Sequence, residues 1–314
     1  MPGTQSGMLS VTFFTATTLC YFLAMVSYVV HLVTGKRPVG ILADVLAFFG
    51  FVLHTTAIGL RWKASYEMGY GHVPLSNLYE SIVFFAWTVV LLYGLFEVRY
   101  RYRSVGAFVL PVTFLTMAFA QYGAPLVRSA GSLMGSEALG NFSIPAGIQA
   151  LVPALQSDWL LYHVVTCFLG YAGFAVGAAV SVMYLVRSRK GTRDGRAGGA
   201  DTAGGILSLS PPAEVLDRIN YQAILIGFPL LTLGIITGAV WANYAWGSYW
   251  SWDPKETWSL IVWFIYAAFL HARLTRGWAG RRAAILSIVG FCATVFCYLG
   301  VNLLLPGLHS YGGG

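Results

Sequence analysis

Six of the ten tryptophans in this 314-residue chain fall between Trp241 and Trp263. The centre of the cluster reads Trp246-Gly-Ser-Tyr-Trp-Ser-Trp-Asp-Pro-Lys-Glu-Thr-Trp258. So much flat aromatic surface, carried by Trp246, Trp250, Trp252 and Trp258 between two apolar segments, suits a large, planar, mostly apolar ligand with polar edges. Two histidines come to the same level. His163 lies about five residues into an apolar segment, and His309 follows Pro306-Gly307 just past the end of another. A neutral imidazole nitrogen is a good iron ligand, and surrounding aromatics can cover a macrocycle, so two imidazoles flanking an aromatic platform is the arrangement that axial ligation of haem iron requires. For either histidine alone a solvated interfacial residue is the ordinary reading. Their convergence with the tryptophans favours ligation.

The polar residues of the cluster have a structural explanation of their own. Asp253-Pro254-Lys255-Glu256 fits a helix start, with Asp as N-cap, Pro as first helical residue and Glu three residues after the cap. That leaves Trp246, Trp250 and Trp252 unexplained, because interfacial tryptophans are usually scattered singly. If residues 246–253 are helical, Trp246, Trp250 and Asp253 share a face and Trp252 points elsewhere. His271 lies thirteen residues after Trp258, about 20 Å deeper by helix rise. It is either a functional intramembrane group or a histidine snorkelling beside Arg273. His54, within the second apolar segment, suits a satisfied packing role, and His31 an interfacial one. His72 either shapes the site from outside or serves a loop turn.

Those residues need elements to carry them. The chain is 57% hydrophobic and 10% charged, with mean hydropathy +0.68, which excludes an ordinary soluble domain. Eight stretches are long enough to span a bilayer, at roughly 9–33, 41–61, 77–98, 105–122, 159–186, 219–242, 258–274 and 284–305. The fold expected is an all-α polytopic membrane protein with eight transmembrane helices, a single integral membrane domain over residues 1–314. Ser76 or Asn77 can cap the third helix and Ser157 or Asp158 the fifth. Of the 19 Lys and Arg, fifteen fall in odd-numbered loops and only Arg61, Lys63, Arg128 and Lys255 on the other side. By the positive-inside rule both termini and the tryptophan cluster are then on the outer, extracytoplasmic side of an inner (cytoplasmic) membrane. The net charge of +7 thus reports orientation, and no basic stripe suggests nucleic acid. Arg-, Gly- and Ala-rich composition hints at a bacterial genome.

The segment 188–212 is rich in Gly, Ala and Arg and reads as a flexible cytoplasmic linker. Residues 214–220 could form a short surface helix leading into the sixth span. The longest outer loop, 123–157, contains an amphipathic stretch at 144–155 that suits the membrane face. The outer segment 241–258 carries the tryptophans. Cys20, Cys167, Cys292 and Cys297 all lie in apolar segments without a Cys-x-x-Cys pair, as buried small side chains do. The first span lacks a basic n-region and a cleavage site, so it reads as a retained helix. No internal repeat and no matched pair of broken helices marks a transporter.

These residues resemble the WWD signature of the haem-handling membrane proteins of cytochrome c biogenesis, and within them the CcsA/ResC family of the system II pathway. The likeness rests on residues 152–163, 246–258, 269–273, 307–312 and 71–80, and covers most of the chain from Arg61 onward. The resemblance implies that His163 and His309 are external haem ligands with the WWD segment between them. It implies that His271 meets haem b nearer the cytoplasm, opposite a histidine from a second protein, CcsB/ResB. The function implied is that of a component of a cytochrome c synthase (haem lyase) complex, holding haem for attachment to the Cys-x-x-Cys-His segment of an apocytochrome c. No acid–base pair or nucleophile is evident in the chain. The rival readings are a cytochrome b-like electron carrier, which needs His pairs at matching depths, and a haem exporter with no role in attachment.

Overall fold

The computed structural model describes residues 3–135, 140, 142–193, 209–305 and 307. Among the described residues eight long helices alternate in direction: α1 (Gln5–Thr34), α2 (Arg37–Glu67), α3 (Leu78–Tyr100), α4 (Gly106–Met134), α5 (Asp158–Arg193), α6 (Ala213–Trp246), α7 (Pro254–Arg276) and α8 (Arg281–Leu304). Each carries an 18-residue window of mean hydropathy between 1.3 and 2.2, so all eight are long and apolar enough to cross a membrane. The chain is an all-helical, multi-pass membrane protein. One end of the bundle carries the α6–α7 connection and is the tryptophan end; the other carries the α5–α6 connection and is the linker end.

Local signals set the helix starts. Asn77 caps α3 by accepting from the Glu80 amide at 2.9 Å, and Ser157 accepts from the Trp159 amide at the start of α5. Several helices run further than apolar composition indicates. Residues 123–134, expected in the outer loop, continue α4 through Pro125. Residues 213–220 are the first turns of α6 rather than a separate surface helix. Of the expected linker, 188–193 extends α5, while 194–208 lies outside the described residues. Residues 142–157 form no regular element apart from one turn at Pro153–Leu155.

The core sits around α5, which packs on α6, α8, α3 and α4. The α5–α6 seam is the most extensive helix contact in the bundle and is built on glycine. A Cβ added at Gly173 would lie 2.7 Å from the Ala223 carbonyl oxygen, and one at Gly227 would lie 2.8 Å from that of Gly170. Lipid chains are as apolar as leucine, so this contact rests on van der Waals fit between backbones, which small residues allow. At the linker end, Arg273 of α7 donates to Asp217 of α6 at 2.8 and 2.5 Å. This ion pair fixes α7, whose membrane window is the least buried of the eight at 17%.

Gly173→Val is expected to destabilise the bundle by about 1–3 kcal/mol, the usual cost of overpacking. Thermal unfolding in detergent checks this. A substitution at lipid-facing Val182 should leave the transition in place.

Candidate functional site

The glycine seam continues to the tryptophan end, where it sets the position of His163. The imidazole lies against α6 because Gly238 has no side chain: a Cβ there would be 2.5 Å from Nδ1. Nδ1–H donates to the Gly234 carbonyl at 2.7 Å. Donation to a carbonyl puts the proton on Nδ1, so in the neutral ring the lone pair lies on Nε2. An N–H bond to a carbonyl is how metal-binding histidines are commonly oriented and made more basic. Trp241 lies nearly parallel to the ring, with centroids 6.4 Å apart and planes at 11°. Trp246 meets Trp241 edge-on at 4.7 Å.

Beyond Trp246 the helix stops at Gly247, in the left-handed region at φ 76°. Residues 247–253 are not helical, so Trp246, Trp250 and Asp253 do not share a helical face as expected. Trp252 adopts φ 58°, a conformation rare for a bulky residue, and leaves its side chain 69% exposed. Trp250 meets it at 89° with centroids 5.8 Å apart. Asp253 and Glu256 form the expected capping box: Asp253 accepts from the Lys255 amide at 2.9 Å, and Glu256 accepts from the Asp253 amide at 3.2 Å. Glu256 also accepts from the Ser251 amide at 2.7 Å, which ties the strained connection to the first turn of α7.

Between α5, α6, the tryptophan connection, the first turn of α7 and α8 lies a small cleft of about 60 Å³, lined among others by His163, Trp241, Trp250, Lys255, Glu256 and Cys297. Of the expected site residues the structure brings His163 and Trp250 into this cleft. Trp246 stands behind Trp241, Trp252 at its exposed margin, and Asp253 is a buried cap. Trp258 packs on Phe296 at 4.3 Å, where it serves the α7–α8 contact. His309 lies outside the described residues, but Gly307 sits against Asp253 and Pro254. The lining roles of Trp241, Cys167 and Lys255 were not anticipated. The spacing Gly234, Gly238, Trp241 on one face of α6 was the available signal.

His271 is near the linker end, at the far side of the bundle, and exposed on α7. The other histidines are packing groups. His54 is fully buried with Nδ1 3.1 Å from the Tyr21 hydroxyl. His31, in the last turn of α1, is buried with Nδ1 3.1 Å from the Lys36 carbonyl. His72 is buried with Nε2 2.8 Å from the Gln149 carbonyl. The four cysteines are free, and Cys292 is exposed rather than buried.

His72 belongs to a latch that sequence reasoning missed. Arg61 and Glu80 form an ion pair at 2.7 Å with side chains 3% and 1% exposed. Glu80 also accepts from the Ser76 amide and hydroxyl. Arg61 Nη2 donates to the carbonyls of Ala146 and Gly147, at 2.9 and 3.3 Å. The segment so held continues to Ala154, whose carbonyl accepts from the Trp241 indole at 2.9 Å. A buried charge pair thereby anchors the loop that fixes the tryptophan beside His163.

The sequence profile of the family described as "Cytochrome C assembly protein" matches residues 75–309. A protein named "Cytochrome c biogenesis protein CcsA" from Microcystis aeruginosa is 42% identical, over 81% of this chain and 82% of its own. One of the same name from Parasynechococcus marenigrum is 40% identical over 89% of both chains. Among solved structures, "Cytochrome c Heme Lyase CcmF" shares the fold at TM-score 0.66 and 20% identity. It covers 95% of this chain, which spans 47% of that protein's length.

Arg61→Leu leaves Glu80 buried without its cation and is expected to cost about 3–5 kcal/mol. Adding Glu80→Gln should recover much of that stability. It should not recover the hydrogen-exchange protection of residues 142–157, because the donors to Ala146 and Gly147 are still missing. Equal stability in the single and double variants would contradict the role given to the pair.

Proposed function

The chain belongs to the cytochrome c assembly protein family and has a role in cytochrome c biogenesis, and from that premise we propose that it holds haem b in the cleft beside His163 and presents it for covalent attachment to apocytochrome c. In this reading it is the haem-handling component of a haem lyase complex. The observation that carries the reading is the imidazole of His163. It is fixed between α6 and Trp241 by its Nδ1 bond to Gly234, and its Nε2 has the electronic form an iron ligand needs.

The residues fit the ligand's chemistry. An apolar, aromatic cleft suits the macrocycle, and Trp241 and Trp250 supply flat surface within it. His309 would supply the second external ligand; the chain two residues ahead of it already lies against Asp253. His271 would meet haem at the linker end, and its exposed position on the least buried span suits a second membrane protein of the CcsB/ResB type supplying the other histidine. The tryptophan end faces the outside of an inner membrane in this reading, in keeping with the fifteen basic residues that the sequence places in the odd-numbered loops.

The reacting groups belong to the two substrates. Each thiol of the apocytochrome Cys-x-x-Cys-His segment adds across a haem vinyl group: a sulfur–carbon bond forms, the thiol proton ends on the neighbouring vinyl carbon, and no oxidant is needed. The chain contributes position, exclusion of water and control of the iron by its ligands. It needs no nucleophile or acid–base pair of its own.

In the purified complex with its partner, His163→Ala and His309→Ala are each expected to weaken external haem binding and change the haem absorption spectrum, while His271→Ala leaves the external signal in place. An unchanged spectrum in both external variants would remove the ligand assignment.

A further inference from the structure

Lys255 is a cation in the wall of an otherwise mostly apolar cleft. It sits in the first turn of α7, immediately after the cap residues, and its side chain runs inward. Nζ donates to Asn302 Oδ1 of α8 at 3.0 Å and lies 5.9 Å from the centre of the Tyr298 ring. Cys167 and Cys297, 7% and 1% exposed, line the same inner part of the cleft. The opposite margin is open: Tyr249 and Trp252 are 59% and 69% exposed. The cleft therefore has a polarity, with a cation on its inner side and exposed aromatic rings on its outer side.

Lys255 anchors α7 to α8 through Asn302, a structural task. The same residue also lines the cleft that holds His163. The cleft's lining also holds the Glu256 carboxylate, but that group is taken up by the Ser251 and Asp253 amides, so the ammonium favours an anionic group on the edge of an entering ligand that lies beside it, because charge-assisted bonds strengthen where water is excluded. A haem b molecule carries two propionates on one edge and its vinyl groups towards the other.

Resting on the haem reading above, we propose that Lys255 is the carboxylate-anchoring residue of the cleft. It receives the propionate edge and so turns the vinyl edge towards the exposed Tyr249–Trp252 side, where an incoming thiol can reach it. Lys255 thereby fixes which edge of the porphyrin is offered for attachment.

Three porphyrins separate the possibilities: haem, its dimethyl ester (propionates masked) and mesohaem (vinyls replaced by ethyls). Each is titrated into the haem-stripped complex of this chain and its partner and followed by Soret absorbance. The wild type should bind haem and mesohaem within about twofold of each other and the ester about tenfold or more weakly, the loss expected for one charge-assisted bond. Lys255→Gln should bind haem and ester alike while keeping the histidine-ligated spectrum, and Lys255→Arg should restore the preference for the free acid. A wild type that binds haem and ester equally, or a Lys255→Gln variant that keeps the wild-type preference, overturns the proposal. The wild-type comparison does not depend on any variant folding. If wild-type haem binding ignores His163→Ala, the haem reading itself fails and this proposal falls with it; if only the ester preference is missing, Lys255 alone is wrong.

Discussion

The hydrogen bond from His163 Nδ1 to the Gly234 carbonyl is the interaction on which the rest of the site depends. It fixes the ring of a histidine that lines the cleft, and it exists only because α5 and α6 approach without side chains between them. At Gly238 a methyl group would occupy the place of the imidazole, and at Gly234 it would meet Cys167 Sγ at 2.5 Å. The seam that stabilises the bundle in lipid is therefore also the device that orients the histidine. In a membrane the two demands coincide, since close backbone contact is one of the few ways helices hold together there.

Around that bond the structure adds fixtures at successive distances. Trp241 lies parallel to His163 and is tied to Ala154. The loop containing Ala154 is tied to Arg61, which is itself neutralised by Glu80. On the other side, Glu256 holds both Ser251 and Asp253, keeping Trp252 in a left-handed conformation. Backbone strain of this kind persists where surrounding bonds over-determine it. Here those bonds come from the same residues that begin α7.

Much of this was legible in the sequence, for reasons that are local. The eight spans follow from apolar runs, and the Asp253–Glu256 box follows from residue types at fixed spacing. That His163 would lie beside the tryptophans followed from its depth. What was not legible depends on distant partners. Nothing in the neighbourhood of Arg61 indicates that it will bond to carbonyls 85 and 86 residues away. The helical face expected for Trp246, Trp250 and Asp253 failed because Gly247 ends α6 at once, and a single glycine can be read as a helix end or as a tolerated interior residue. The span ends were placed short because polar residues in terminal turns lower hydropathy without ending a helix, as in residues 123–134 of α4. Trp241 escaped notice as a cleft residue because its value lies in its register with Gly234 and Gly238, which becomes meaningful only once α5 is known to lie there.

The central claim is that this imidazole binds iron through Nε2 while Nδ1 keeps its bond to Gly234. A structure of the haem-loaded complex of the chain with its partner tests it most directly. The account predicts iron bonded to Nε2 of His163, the porphyrin against Trp241 and Trp250, and the Gly234 carbonyl still accepting from Nδ1. Haem density at the tryptophan end with the iron held by other residues, and His163 outside bonding distance, would contradict it.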